Sequence, residues 1–253
     1  MHDVSWKKIF GDYDILKHDF SKTPFIITAE QIKKATHSFK KTGEKEVRIL
    51  CKQDCREDRA EVFIQNDLFL LPIKNGAYAI VRGEGYLNIP KITNAVQIYN
   101  SKLDFKLDTS KVGNSEMQHL DFAYASSLVR TFLDDSTLVL TIRGRKYTPA
   151  FSFRVGKQLI EAKGVQTEVD GGYEGKEQIA LIEAKNSTTN NVIIRQLFYP
   201  YRQWSHYTKK KVATLFFEKI SDWYCLWQFE FKDKDDYNSI HLIKSCKYKI
   251  VDI

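Results

Sequence analysis

The 253 residues carry 39 Lys and Arg against 32 Asp and Glu, a net charge of +7, with 43% hydrophobic and 13% aromatic side chains. A chain of this length and composition buries a core without disulfide or metal staples, and it is neither disordered nor collagen-like nor low in complexity. The charge excess suits a polyanionic partner but forms no basic tail: 18 basic residues face 15 acidic ones before residue 111, and 21 face 17 after it.

The opening His2-Asp3-Val4-Ser5-Trp6-Lys7-Lys8 has no apolar signal core. No run nears the roughly 18 apolar residues of a membrane span. Cys51, Cys55, Cys225 and Cys246 lack zinc-site spacing and read as thiols of a reducing compartment. The expectation is a cytoplasmic protein with no membrane partner.

Thr28 reads as the N-cap of a helix over residues 29–35. Residues 46–51 alternate Val47, Ile49 and Cys51 against charged neighbours and predict a strand. Residues 68–73 and 78–81 flank Asn75-Gly76, a strong hairpin signal. Short strands are expected near 86–89 and 103–107. The first 110 residues therefore predict an α+β region.

Ser115 can cap a helix over residues 116–133. Strands follow over 138–143, 149–155 and 164–170. A turn over 171–176 leads to a strand over 179–185. A helix over 191–205, interrupted by Pro200, comes next, then strands over 223–231 and 241–251. This order predicts an α/β (α+β) class with a mixed β-sheet flanked by helices over residues 111–253.

The chemistry concentrates at Asp170-Gly171-Gly172 and Glu183-Ala184-Lys185. Residues two apart on a strand share a face, so Glu183 and Lys185 stand side by side. Asp170 returns beside them across the hairpin. Two carboxylates in one place repel, and a hard divalent cation such as Mg²⁺ removes that cost. Such an ion activates water and neutralises a phosphoryl oxygen, and an adjacent lysine adds fixed positive charge. The Ala184 carbonyl can complete the coordination. An ordinary hairpin with an exposed Glu/Lys pair fits the same short pattern.

The context favours chemistry. Ala180-Leu181-Ile182-Glu183-Ala184-Lys185 is an apolar strand that turns charged only at its exit, and Arg195-Gln196-Leu197-Phe198-Tyr199-Pro200-Tyr201-Arg202 follows at once. With Gly164–Glu174 these segments resemble the PD-(D/E)xK nuclease superfamily, specifically type II restriction endonucleases. The likeness extends to Thr141–Arg145, Tyr237–Ile240, Leu70–Ile73 and Gly83–Tyr86, and so to most of the chain. Val169 stands where the superfamily name has proline.

The resemblance implies a restriction-endonuclease-like core over residues 111–253 and Mg²⁺-dependent, site-specific hydrolysis of double-stranded DNA by a homodimer, with residues 1–110 contributing to DNA recognition or dimerisation. It makes Asp170 and Glu183, with Ala184, the metal ligands and Lys185 the residue that assists water. Gln196 would stand beside the metal. Glu116, Gln118 or Asp121 would add a supporting group. Arg143, Arg145, Arg195 and Arg202 are candidate phosphate contacts. A repair or structure-specific nuclease with the same core, or an inert DNA-binding module, are the alternatives. Glu161-Ala162-Lys163 repeats the tripeptide but lies in a Lys/Gln-rich connection. Lys209-Lys210-Lys211 reads as a solvated helix start, and the polar run from Cys51 to Arg59 as a loop with a capacity to read bases.

Overall fold

A computed structural model describes residues 2–251, apart from the Lys111 side chain. Its first part packs α1 (Asp3–Asp12), α2 (Ala29–Thr36), α3 (Thr42–Lys45), α4 (Val47–Leu50) and α5 (Glu61–Ile64) around a three-stranded sheet. That sheet runs β1 (Phe25–Thr28), β3 (Ala77–Arg82), β2 (Leu68–Lys74), all antiparallel. Thr28 caps α2 through a reciprocal pair with Gln31, whose N–H donates to Thr28 Oγ1 and whose Oε1 accepts from the Thr28 N–H. Residues 46–51 are not a strand. Val47 and Leu50, one helical turn apart, both enter the core, so this short piece coils as α4.

The apolar run of β2 has a direct cause. Leu68 and Leu70 face the N-terminal core with Trp6, Phe63 and Ile80, whereas Phe69 and Leu71 face the larger core with Phe153, Tyr199 and Tyr237. A strand buried on both faces loses its alternation and reads as continuously hydrophobic.

The second part is built on a seven-stranded mixed sheet. After β4 (Tyr86–Asn88) and β5 (Gln97–Asn100) come α6 (Glu116–Ala125), α7 (Leu128–Leu133), β6 (Val139–Tyr147), β7 (Phe151–Val155), β8 (Gln158–Ala162), β9 (Gln166–Glu174) and β10 (Gln178–Lys185). Then follow β11 (Asn191–Ile193), α8 (Arg195–Tyr207), β12 (Lys211–Ile220), β13 (Trp223–Phe231) and β14 (Ile240–Val251). The strand order is β5-β14-β13-β12-β10-β9-β6, with β10/β12 and β14/β5 parallel and the rest antiparallel. Helices α6 and α7 cover one face. Helix α8 and the β7–β8 hairpin cover the other, where β2 and β3 also pack. The fold is thus a mixed α/β one. No helix among the described residues is long and apolar enough to cross a membrane.

Several expectations are corrected. Lys211–Ile220, to which the hydrophobic pattern assigned no element, is a central strand, so Lys209-Lys210-Lys211 leads into a strand and not a helix. Residues 103–107 form no strand, and β5 lies a few residues earlier. The helix over 116–133 breaks at Ser127, which takes the left-handed conformation (φ 68°). The freed carbonyl of Ser126 accepts from the Tyr99 hydroxyl at 3.0 Å and the Lys102 N–H at 3.1 Å. Asn191–Ile193 belongs to β11, and α8 runs unbroken through Pro200. The segment Arg143–Lys146 lies inside β6 and is no turn. Strand pairing also crosses residue 110, since β4 pairs with β11 and β5 with β14.

Gly171 and Gly172 are not a turn either. They lie within β9, which runs on to Glu174. A Cβ at Gly171 would meet Leu120 of α6 at 2.9 Å, and one at Gly172 would meet Ile142 Cβ of β6 at 2.5 Å. The pair is small because helix and strand press in from two sides. Gly172→Ala should therefore destabilise the protein by about 1–3 kcal/mol, read as a lower urea midpoint at unchanged slope.

Candidate active site

The site forms where β9 and β10 separate. Their ladder ends at Ile182↔Gly171, and the next step places Asp170 across from Glu183. Beyond that point β10 holds only β12, through Lys185↔Glu218. The Ala184 N–H donates to Asp170 Oδ2 at 2.8 Å, so a side chain replaces the missing ladder partner. Ala184 itself is buried in the core beneath.

Glu183 is 8% exposed. Its Oε1 accepts from Lys185 Nζ at 2.5 Å and from Gln196 Nε2, at the start of α8, at 2.8 Å. Lys185 Nζ also donates to the Ala184 carbonyl at 3.2 Å. Among the described residues, each carboxylate thus has one oxygen held by the protein and one without a partner. Gln196 Oε1 and Arg195 Nε are likewise buried without a partner.

Electrostatics follow from this crowding. Burial raises the Glu183 pKa to about 7, with Lys185 opposing and Asp170 adding to the rise. Burial also raises Asp170, while the Ala184 N–H pulls it down. Burial disfavours the Lys185 ammonium, but Glu183 outweighs that and the pKa lies above its ordinary value. Lys185 is therefore a cation at neutral pH.

These groups line one cavity of about 260 Å³ together with Glu116, Glu168 and Arg195. Of the three supporting candidates on α6, Glu116 reaches it. Gln118 instead donates to the Thr109 and Ser110 carbonyls at 3.2 and 3.1 Å, and Asp121 pairs with Arg143. Of the four arginines, Arg195 lines the cavity, 3.7 Å from Asp54. Arg143 ties β6 to α6, and Arg145 pairs with Glu168 at 3.4 Å on the surface. Arg202 is committed elsewhere: it donates to the Ser152 and Lys234 carbonyls at 3.0 and 2.6 Å and lies over the Phe151 ring.

The repeated tripeptide is remote from this site. Glu161 lies in β8, outside the seven-stranded sheet, and Lys163 is exposed. The Cys51–Arg59 run is docked rather than free. Arg56 bonds Glu84 and the Tyr86 carbonyl, and its N–H donates to Asn191 Oδ1. Two site residues escaped the sequence reading. Glu168 lies two residues before Asp170 on the same strand, a legible i, i+2 signal. Glu218 is buried and accepts the Thr189 N–H at 2.7 Å, which closes the loop after Lys185. It lay in a strand the pattern did not mark.

The donor set fits a hard divalent cation. Two oxygens stand free on a pair of carboxylates that repel each other, and a buried amide oxygen lacks a partner beside them. No three His, Cys, Asp or Glu side chains cluster as a closed cage among the described residues. A cage is not what Mg²⁺ requires, since it keeps water and phosphate oxygens in its shell.

A family model covers residues 81–249. The chain belongs to the family described as Domain of unknown function (DUF6997). Residues 3–80 match a second, Domain of unknown function (DUF6996). The two matches meet within β3, the strand that touches both cores. No curated protein and no solved structure matches the chain.

The DUF6997 site sets a pH dependence. The folded pKa of Glu183 is raised, so its stabilising contribution is full below about 4.5 and is lost as pH rises through about 7. In EDTA, the stability of wild type relative to Glu183→Gln should fall by about 2 kcal/mol between pH 5 and pH 8. Saturating Mg²⁺ should reverse that fall in wild type alone, read by thermal melts across the pH series.

Proposed function

We propose that this protein is a Mg²⁺-dependent, site-specific endonuclease of double-stranded DNA, of the type II restriction kind, acting in the cytoplasm. The observation that carries the proposal is the convergence of Asp170, Glu183 and Lys185 where β9 and β10 part, at the carboxyl end of β10. In open α/β sheets, ligands seat outside the carboxyl ends of the strands.

Each residue then has a task. Asp170 and Glu183, with the Ala184 carbonyl, would hold the metal. When bound, Mg²⁺ supplies a water of lowered pKa and positive charge for a phosphoryl oxygen. Lys185, kept cationic by Glu183, orients that water and faces the charge that develops on the phosphate. Gln196 fixes Glu183 through Oε1, which leaves Oε2 for the metal. Glu116 adds a second-rank acceptor at the rim. Arg195 offers a guanidinium to a non-bridging phosphate oxygen. A palindromic target presents the same half-site twice, so the reading includes a two-fold homodimer in which each subunit cuts one strand.

Long unmethylated DNA incubated with Mg²⁺ should give discrete fragments, and none in EDTA. Asp170→Asn, Glu183→Gln and Lys185→Ala should each lower the cleavage rate by at least about 100-fold while the fold, read by circular dichroism, stays unchanged. DNA left intact by wild type with Mg²⁺, or cut equally by Glu183→Gln, would sink the proposal. A structure-dependent pattern of cuts in place of discrete fragments would reassign it to repair.

A further inference from the structure

A second cleft opens at the same edge of the sheet. It has a volume of about 620 Å³, and its walls include Lys106, His119, Phe122, Lys219, Tyr224 and Lys249. Lys219 follows Glu218 at the end of β12, Tyr224 begins β13, and Lys249 lies near the end of β14. All three therefore stand at the edge where β10 presents Lys185.

The two cavities are close neighbours. Glu116 opens onto the first, while His119 and Phe122 of the same helix open onto the second. The turn before α6 forms the ridge between them. Its Asn114 carbonyl accepts from Asn186 Nδ2 at 3.0 Å, one residue past Lys185, and its Oδ1 meets His119 Nε2 at 2.7 Å.

The cleft has the chemistry of a phosphate next to a flat ring. Among the described residues, three lysines are offset by one carboxylate, Asp222, which lies 3.7 Å from Lys249 with both side chains at least half exposed. So loose a surface pair is readily exchanged for a phosphate. The Lys219 ammonium lies 4.9 Å above the ring of Tyr224, which is buried in the core, and the half-buried Phe122, 6.1 Å from that ring, is the aromatic side chain that reaches the surface of the cleft. Burial lowers the pKas of both Lys219 and His119, and the Lys219 charge adds to the fall at His119. Lysines that track a backbone, interleaved with aromatic rings, are the means by which proteins hold a nucleic-acid strand without reading its sequence.

We propose that this cleft binds a phosphate and the adjoining base of a DNA strand that leaves the catalytic cavity over the ridge at Asn114. The inference rests on the nuclease reading, and it adds a contact outside the cut site. It also places the strand's positive partners in lysines around the cleft, whereas all four candidate arginines are held in internal or surface pairs.

The test uses the full chain in EDTA and a fluorescent, 5′-phosphorylated thymidine tetranucleotide, followed by anisotropy. Lys106→Gln/Lys219→Gln/Lys249→Gln should weaken binding by at least about 10-fold and lower the salt slope by about 2. Lys106→Gln/Lys249→Gln, which changes exposed side chains only, should move both in the same direction. Lys163→Gln, an exposed change remote from both cavities, should bind as wild type does. Equal binding and equal salt slope in wild type and both lysine variants would overturn the proposal, as would inorganic phosphate binding as tightly as the tetranucleotide. Lysine-dependent uptake without Mg²⁺-dependent cleavage would refute the nuclease reading and leave the cleft standing. Cleavage with lysine-independent uptake would do the reverse.

Discussion

One hydrogen bond organises the candidate site: the Ala184 N–H to Asp170 Oδ2. A β-hairpin that kept its ladder past Ile182↔Gly171 would bury these groups between paired backbones. Because β9 turns toward β6, the side chain of Asp170 must serve as the acceptor for β10. The same bond therefore satisfies a buried amide, fixes one carboxylate oxygen and aims the other into the cavity that Glu183 lines. The acid could be replaced by asparagine without losing an acceptor, but not without losing the charge that makes the pair unfavourable in the absence of a cation.

The surrounding structure serves that separation of strands. Gly171 and Gly172 let Leu120 and Ile142 close on β9 just before it diverges. Helix α8 brings Gln196 to Glu183, and its position is fixed from the N-terminal part: Ile193 donates to the Asp54 carbonyl, Ile194 to that of Gly85, and Tyr199 to that of Pro72. The two faces of β2 bind the N-terminal core to the larger one. The first part thus anchors the helix that carries Gln196, and it reaches within 3.7 Å of Arg195 through Asp54.

The chemistry was more legible than the frame around it. The turn expected over 171–176 would have left Asp170 at the far end of the hairpin from Glu183, and the actual turn, over 175–177, brings the two across from each other; the placement of Glu183 beside Lys185 was plain from two-residue periodicity. β13 was equally plain, an aromatic-rich run with clear ends. What stayed hidden depends on distant partners. β12 is buried on both faces, with Phe216 in one core and Leu215 and Phe217 in the other, so its pattern has no period to detect. Arg143 and Arg202 look free in one dimension, and only the fold supplies Asp121, Asp235 and the carbonyls that claim them. Val47, Ile49 and Cys51 satisfy a strand alternation while Val47 and Leu50 satisfy a helical spacing, and the N-terminal core selects the helical one.

The claimed arginines alter what the net charge of +7 means. A cation bonded to an acid across two elements adds nothing to the field that a polyanion meets, because its partner cancels it at close range. By that criterion, Arg143 and Arg202 contribute little, although each lies on an element that frames the site. Among the described residues lining the cleft, Asp222 is the one acid facing Lys219 and Lys249 at the carboxyl edge of β12 and β14, and its pair with Lys249 is an exposed one. A site that concentrates acids needs a source of positive potential beside it, at a distance where it draws a phosphate in without pairing with those acids. The ridge at Asn114 provides that separation.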